Sequence, residues 1–409
     1  MPEIHTHTFE NGLALVAEPM AGVRSLAMTL LTPAGIAGQP KRQQGVAPLL
    51  AELLGRGAQG QGSRAFNEAL DTLGVHRSCS AGNRHLRLSA TLVGENLDAA
   101  LPLLLSQALS PNLDEQELEP SRDLCLQEIA ALEDDPQRRA MIALRHKHFP
   151  EPLGRPSDGI AEHLKGLTLD DARAYWQLGV VPKGSILAFA GQFDWNQLRD
   201  RVGELAADWS GQADVIKPTE EASRGYTHLE VPTEQVHIGL AYDAPPDTDE
   251  QSMLQRAAVS VLSGGMSSRL FSEVREKRGL CYSVYASYAG MRDLGAVLGY
   301  AGTTPPRAQE TLDVFVAELR RLSQGVEGSE LQRAMVGMKA RLVMQGESSG
   351  ARAGAIAADL YVHGRPRSLD ELADRVDSVT LEEVNRFVAE RTVDPLTIVT
   401  IGPEPLQIT

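Results

Sequence analysis

Two hydrogen-bond donors, Arg275 and Tyr282, carry the most evident chemistry in the chain. They are seven residues apart in SGGMSSRLFSEVREKRGLCYSVYASY, residues 263–288, where the pattern predicts Arg275 near the end of a helix and Tyr282 at the start of the next strand. Both residue types also have structural uses, because a cation suits the C-terminal end of a helix and a tyrosine suits a half-buried strand. The residue types alone leave open whether the pair has more than a structural role.

Metal-binding patterns are sparse. Cys79, Cys125 and Cys281 are an odd set without a C-x-x-C pair, so we expect reduced thiols in or near the core rather than a disulfide framework or a cysteine zinc site. The His-x-His pairs at residues 5–7 and 146–148 have no carboxylate or cysteine partner at ligand spacing. We interpret both pairs as surface residues.

The helix predicted over residues 44–56, QGVAPLLAELLGR, has small and apolar residues that resemble the surroundings of the ligands in a zinc-peptidase helix. In such a helix, ligands at i and i+4 share a face and a Glu at i+3 deprotonates the metal-bound water. Here these positions hold Pro48, Ala51 and Glu52, which provide neither imidazole ligand nor base. Pro48 is compatible with a helix because the N–H that it lacks lies in the first turn, where it would have no partner.

The surroundings of these positions resemble the zinc-motif helix of pitrilysin/insulinase-type peptidases, the family of the mitochondrial processing peptidase. Its inverted motif H-x-x-E-H is framed by small and apolar residues, and the frame is present here at Gly45, Ala47, Leu49, Leu50, Leu53 and Gly57. The family's third ligand, a Glu before an acidic-Pro turn, matches Glu128, 76 residues after Glu52. The resemblance implies that Pro48, Ala51, Glu52 and Glu128 are a degenerate zinc motif and that this chain binds no metal.

The same family has an R-x6-Y pattern in its C-terminal domain, which Arg275 and Tyr282 match. The resemblance implies that both side chains converge on a peptide bound at a zinc site, where two donors stabilise the developing oxyanion. It also implies a two-chain enzyme, in which a homologous partner brings zinc and this chain brings the Arg/Tyr pair.

A weak internal repeat indicates the fold. Residues 166–191 and 378–402 both read as a Thr N-cap, a Leu, two acids, an amphipathic helix and an apolar strand that ends in Gly, with the caps at Thr168 and Thr380. We therefore predict an α+β fold of two similar domains from an internal duplication, each a mainly antiparallel sheet packed against helices, which is the pitrilysin-like fold. Long helical patterns lie at residues 95–108, 114–133, 305–323 and 329–346.

Composition separates these domains and excludes some functions. Residues 209–225 are polar, contain Gly and Pro and show no periodicity, so they are the predicted linker between an N-terminal domain at 1–208 and a C-terminal domain at 226–409. The net charge of −15 disfavours nucleic acid and anionic membranes as partners. With no apolar stretch long enough to span a bilayer and no signal-peptide pattern, we expect a cytoplasmic chain.

The sequence thus favours a zinc-less, substrate-binding subunit of a heterodimeric zinc endopeptidase that acts on small polypeptides. It has no catalytic activity by itself in this interpretation, and zinc is expected on the partner. One alternative is a non-enzymatic peptide-binding or assembly subunit that resembles the silent core subunits of a respiratory complex. Another is an active metallopeptidase with unfamiliar ligands.

Overall fold

The strands of the first half of the chain form one mixed sheet. The computed structural model describes residues 3–408, and these strands are β1 His5–Thr8, β2 Ala14–Pro19, β3 Ser25–Thr32, β4 Gly57–Ala58, β5 Gln61–Gly62, β6 His76–Ala81, β7 Leu86–Val93 and β8 Ile186–Gly191. The short strands β4 and β5 pair only with each other. The other six follow the order β1-β2-β8-β3-β7-β6, in which β2 and β8 are parallel and the remaining pairs are antiparallel.

The second half repeats this arrangement with five strands. They are β9 Tyr226–Glu230, β10 Val236–Ala244, β11 Cys281–Gly290, β12 Gly295–Thr303 and β13 Thr397–Gly402. Their order is β11-β12-β10-β13-β9, with β13 and β9 parallel and the remaining pairs antiparallel. The α+β prediction, with two similar and mainly antiparallel sheets, is confirmed.

Helices occupy most of the chain between the strands. They are α1 Val46–Leu54, α2 Ser63–Thr72, α3 Leu97–Leu109, α4 Glu115–Ala130, α5 Pro136–His148, α6 Ala161–Gly166, α7 Leu169–Gly179, α8 Trp195–Leu205, α9 Ser252–Ser263, α10 Ala308–Arg321, α11 Gly328–Gly346, α12 Ser349–His363, α13 Leu369–Asp377 and α14 Leu381–Ala389. The four long predicted helices correspond to α3, α4, α10 and α11. None of the helices within residues 3–408 is both long enough and apolar enough to cross a membrane.

The repeated helix starts are confirmed at both copies. The hydroxyl of Thr168 accepts a hydrogen bond from the N–H of Asp171, and the Asp171 side chain accepts one from the N–H of Thr168. Thr380 and Glu383 form the same reciprocal capping box at the start of α14. The same capping box at both helix starts supports the duplication that the sequence pattern indicated.

The chain divides into two units, and their boundaries differ from the predicted ones. Unit 1 comprises the chain up to Ala131 together with Glu151–Glu220 and Gln345–Pro366, and unit 2 comprises the remainder. The main division, after Glu220, lies within the predicted linker, but residues 209–220 belong to unit 1, where the Trp209 indole donates to the carbonyl of Val180. The predicted ranges 1–208 and 226–409 are wrong for two helices. Helix α5 lies in the first range but belongs to unit 2, and α12 lies in the second range but belongs to unit 1.

The first exchanged helix, α12, covers one face of the first sheet by packing against β2, β3 and β8. Ile356 is fully buried against Val16 and Ala188. Arg352 is only 1% exposed and donates two hydrogen bonds, of 2.8 and 2.6 Å, to the carboxylate of Glu18 on β2. A buried ion pair therefore fixes this helix to the sheet.

The second exchanged helix, α5, packs against β10 and β13 of the second sheet. Its last residue, His148, is fully buried, so the interpretation of residues 146–148 as a surface pair is wrong for this residue. The imidazole Nδ1 lies 2.9 Å from the hydroxyl of Thr397, and Nε2 lies 3.4 Å from the carboxylate of Asp243. Burial, together with the charge of Arg224, lowers the pKa of His148 to about 4, so the imidazole is neutral at pH 7.

The ion pair of α12 predicts a large loss of stability when one partner is removed. Arg352→Met keeps an apolar side chain but leaves the buried Glu18 carboxylate without its cation, so the free energy of unfolding of unit 1 should fall by about 3–5 kcal/mol. Urea unfolding followed by tryptophan fluorescence measures this loss, because Trp176, Trp195 and Trp209 all lie in unit 1.

Arg24→Met is the matched control. Arg24 pairs with Glu95 at 3.2 Å in the same unit, but both side chains are mostly exposed, so its removal should cost less than about 1 kcal/mol. Equal losses in the two variants would show that the buried pair is not an anchor.

Candidate functional site

Helix α1, which holds the degenerate motif positions, begins with a side-chain cap from outside the helix. Gly45 precedes it at φ 124°, a backbone conformation that favours glycine. The amide oxygen of Gln39 accepts hydrogen bonds from the N–H groups of Gly45 and Ala47, at 2.8 and 2.9 Å. The N–H of Leu49 reaches the carbonyl of Gly45 at 3.0 Å, so Pro48 lies in the first turn, where it removes no hydrogen bond of the helix.

The three motif positions have side chains unsuited to zinc. Pro48 is half-buried, and Ala51 is buried in the core with 5% exposure. Glu52 is half-exposed, and its carboxylate lies 3.9 Å from the guanidinium of Arg56. Arg56 also lies 4.0 Å from Glu117 on α4. Glu52, which stands where the zinc motif has its second His, therefore belongs to a loose charge network between α1 and α4.

Glu128 lies exposed on α4, on the same side of unit 1 as Glu52. Both carboxylates act electrostatically on Cys125: burial first, and then the charges of Glu52 and Glu128, raise the pKa of this thiol to about 12. Cys79 on β6 also has a pKa raised to about 12, by burial and then by Glu52. The charges of Glu52 and Glu128 thus both act on the protonated thiol of Cys125, and that of Glu52 also acts on Cys79.

These residues do not fit a zinc ion. A catalytic zinc site of the H-x-x-E-H type needs two imidazoles and a carboxylate, whereas α1 offers a prolyl ring and one carboxylate, and the adjacent thiols are held in the protonated form. Within residues 3–408, no group of three or more His, Cys, Asp and Glu side chains has the geometry of a metal site.

Arg275 lies in a π-helical turn, Phe271–Glu276, in unit 2. Its guanidinium stacks over the ring of Phe271, 5.0 Å from the ring centroid. The neighbouring cations are engaged differently, because Lys277 and Arg278 both bind Glu273, at 2.6 and 2.7 Å, and hold the pKa of that carboxyl near 2. Arg275 is exposed and has no carboxylate partner among the described residues. π-Helical turns are rare and are often found at functional sites.

Tyr282 is the extra residue of a β-bulge at the start of β11. Cys281 pairs with Thr303 and Ser283 pairs with Gly302, so Tyr282 has no partner residue on β12. Its side chain is 73% exposed, which differs from the half-buried aromatic expected of a structural tyrosine. β-Bulges commonly redirect a side chain next to a functional site.

The fold places Arg275 and Tyr282 in one neighbourhood of unit 2. The π-helical turn packs against β11. Burial raises the pKa of Cys281, the residue before Tyr282, to about 11, and the opposing influence comes from the Arg275 charge. The two exposed donors thus lie on elements that are in contact with each other.

Comparisons with protein families match both halves of the chain. A family model described as insulinase (peptidase family M16) matches residues 16–157, and one described as the peptidase M16 inactive domain matches residues 166–337. The two models together cover most of the chain.

Two relatives match this chain over almost its whole length. The chain is 28% identical to an uncharacterized zinc protease of Streptomyces coelicolor, over 97% of this chain and 89% of that protein. It is 26% identical to the uncharacterized zinc protease YmxG of Bacillus subtilis, over 98% of each.

Solved structures share the fold. A structure described as a peptidase M16 inactive domain from Pseudomonas fluorescens has a TM-score of 0.89 with 23% identity and covers all of both chains. A protease from Helicobacter pylori has a TM-score of 0.88 with 21% identity and covers 99% of this chain and 100% of that one.

The side chains of α1 predict that the purified chain binds no stoichiometric zinc. The reason is chemical, since Pro48 and Ala51 have no donor atom and Glu52 is paired with Arg56. Elemental analysis after dialysis against zinc measures the metal content. About one zinc per chain, lost on Glu128→Gln, would overturn the degenerate-motif interpretation.

The retained frame of α1 predicts that the site can be restored. The triple change Pro48→His, Ala51→Glu and Glu52→His should create zinc binding, with Glu128 as third ligand, measurable by competition with a chromophoric chelator. Adding Glu128→Gln to the triple variant is the control and should weaken zinc binding by about 10- to 100-fold or more, since even outer-shell changes have that effect. A folded triple variant without zinc affinity would contradict the assignment of these positions.

Proposed function

Because the chain belongs to the insulinase (M16) family of peptidases, we propose that it is the zinc-less, substrate-binding subunit of a heterodimeric zinc endopeptidase that acts on small polypeptides. In this proposal a homologous partner chain holds zinc through an intact H-x-x-E-H motif. This chain contributes Arg275 and Tyr282 to the bound peptide. The degenerate positions on α1 support the division of labour, because the side chains that remain there cannot replace the missing ligands.

The observation that carries the proposal is a pair of unengaged donors in unit 2. Arg275 is exposed without a carboxylate partner, in a chain that has 54 acidic residues and 39 Lys and Arg residues. Tyr282 exposes 73% of its side chain, and its hydroxyl has no hydrogen-bond partner among the described residues. Neither side chain is buried in the core, which supports a role in binding.

The chemistry of the pair follows from the charge that develops during peptide hydrolysis. The partner's zinc supplies an activated water. As the scissile carbonyl becomes tetrahedral, its oxygen gains negative charge and accepts stronger hydrogen bonds. A guanidinium held by Phe271 and a phenol held by a β-bulge are preorganised donors, which stabilise this oxygen more in the transition state than in the substrate.

Assembly is the first test of the proposal. Mixing this chain with a homologous chain that carries H-x-x-E-H should give a heterodimer in size-exclusion chromatography with light scattering, and peptidase activity that neither chain has alone. The reason is that this chain lacks the zinc ligands but keeps the Arg/Tyr pair. Full activity of the motif-bearing chain by itself would contradict the subunit role, and a heterodimer without activity would favour an assembly function.

Turnover tests the role of the pair. Tyr282→Phe deletes one hydroxyl, and loss of an oxyanion donor typically lowers kcat by about 100- to 1000-fold. Arg275→Lys keeps the charge but loses the planar fork, so kcat should fall here also. Steady-state kinetics of the assembled complex measures both changes.

Arg24→Lys is the control for the arginine change, because Arg24 is an exposed residue of unit 1 outside the proposed site. It should leave kcat and KM unchanged. Wild-type kcat and KM in assembled Tyr282→Phe and Arg275→Lys complexes would show that the pair has no chemical task, and a rise in KM alone would assign it to ground-state binding.

A further inference from the structure

Helix α11 is apolar on two opposite faces. With a rotation of about 100° per residue, one face packs into the core of unit 2 and holds Leu331, Ala334 and Met338. The opposite face holds a second set at helical spacing, Val336, Ala340, Val343 and Met344, which we term the apolar stripe. A surface helix needs only one apolar face to fold against its domain. The stripe therefore has no role in the packing of this unit.

The members of the stripe are well exposed. Val336 is 64%, Val343 is 63% and Met344 is 70% exposed, and Ala340 between them is exposed too. Single exposed apolar residues are common on proteins and need no explanation, but a row of them along two turns of one helix is characteristic of a binding surface.

A neighbouring loop extends this surface. Met266 is 75% exposed in the loop after α9, and it lines a cavity of about 180 Å³ together with Arg333 and Ala334 of α11. Arg333 precedes Val336 by one turn on the same face of the helix. The exposed methionine and the cavity therefore lie beside Arg333, one turn before the start of the apolar stripe.

Two arginines of α11, Arg333 and Arg341, lie on or beside the apolar stripe. Arg333 has no ion-pair or hydrogen-bond partner among the described residues. Arg341, at the edge of the stripe, makes only a 3.5 Å contact with the hydroxyl of Ser260. The nearby acid Glu330 is already bound by Arg269 at 2.7 Å, and Asp377 is paired with Lys339. The surface therefore presents two guanidinium groups to an incoming ligand, although the chain as a whole has a charge of −15.

We propose that the apolar stripe, with Met266, Arg333 and Arg341, is a docking surface for polypeptide segments that carry apolar side chains and carboxylates. The proposal rests on the peptide-binding role proposed above and names the class of peptide that this chain selects. Apolar side chains of the segment pack against Val336, Val343 and Met344, while its carboxylates meet the two guanidinium groups.

The physical properties of the surface suit this ligand. Methionine is flexible and polarizable, so Met266 and Met344 can adapt to different side chains. Arginine is weakly hydrated and binds carboxylates in a fork geometry, so Arg333 and Arg341 can engage an acidic peptide beside an apolar surface. A segment bearing lysines meets repulsion at the same positions. The two arginines of this surface therefore favour acidic peptides, although the whole chain carries a net negative charge.

Fluorescence anisotropy with the isolated full-length chain tests the proposal. The probes are two labelled 15-residue peptides with Leu and Met at the same positions, one with four Asp and the other with four Lys in place of these. The acidic peptide should bind about tenfold or more tightly than the basic one at low salt, and the difference should shrink as salt screens the charges.

Variants locate the binding. Val336→Ser with Met344→Ser should weaken binding of the acidic peptide by about tenfold or more, since each change removes apolar contact area. Leu178→Ser with Val215→Ser is the matched control, because both side chains are exposed apolar residues of unit 1, and it should leave binding unchanged. Arg333→Gln with Arg341→Gln should abolish the preference for the acidic peptide.

Three outcomes would overturn the proposal: no binding of either peptide, equal binding of both peptides at low salt, or an equal loss of affinity in the Val336→Ser, Met344→Ser variant and in the Leu178→Ser, Val215→Ser control. Sedimentation velocity adds a fourth, since a wild-type homodimer that the Val336→Ser, Met344→Ser variant dissociates would assign the surface to a second copy of the chain. Binding here needs neither the partner chain nor zinc. Loss of peptide binding with normal heterodimer assembly therefore contradicts this surface alone, and failed assembly with retained binding contradicts the subunit role alone.

Discussion

A sheet with two apolar faces needs cover on both, and this requirement organises the whole chain. Strand β8 reads ILAFAG and is buried throughout, because helices of the first half cover one face of its sheet and α12 covers the other. In the second sheet, α5 covers the corresponding face of β10 and β13. Each half of the sequence thus contributes one helix to the sheet of the other half.

The polar contacts of α5 and α12 fix each helix at one position on the sheet that it covers. Apolar packing alone tolerates sliding along a sheet, whereas the Arg352–Glu18 pair and the contact of His148 with Thr397 each have one satisfactory geometry. In both places the polar group is buried, so a displaced helix would leave a charge or an imidazole without a partner. Specific placement accounts for these buried polar residues better than a contribution to net stability does.

Local features were predictable from the sequence, and long-range ones were not. Thr168 and Thr380 were identified as caps because an N-cap depends on residues within one turn. The periodicities of α3, α4, α10 and α11 located these helices within a few residues. The exchange of α5 and α12 escaped prediction because an amphipathic helix shows that it packs, but not on which sheet. His148 was misjudged for the same reason.

The candidate site divides in the same way. The absence of a first imidazole at Pro48 and of the base at Ala51 is visible in the residue types. The exposure of Tyr282 depends on a bulge against β12, and the isolation of Arg275 depends on Glu273 binding two other cations. Both features depend on residues that only the fold brings together, and sequence spacing does not identify them. The helical pattern of α11 was visible in the sequence, but which of its apolar residues are exposed depends on the elements that pack against it.

The exchange of helices also sets an order of events during synthesis. α5 leaves the ribosome before any strand of the sheet that it covers, and it must wait beside a growing chain for β10 and β13. The sheet of unit 1 has the opposite problem, since its last strand ends at Gly191 while the helix that covers its second face ends at His363. For more than a hundred and fifty residues of elongation, the nascent first domain has an apolar face open to water, to chaperones and to other nascent chains.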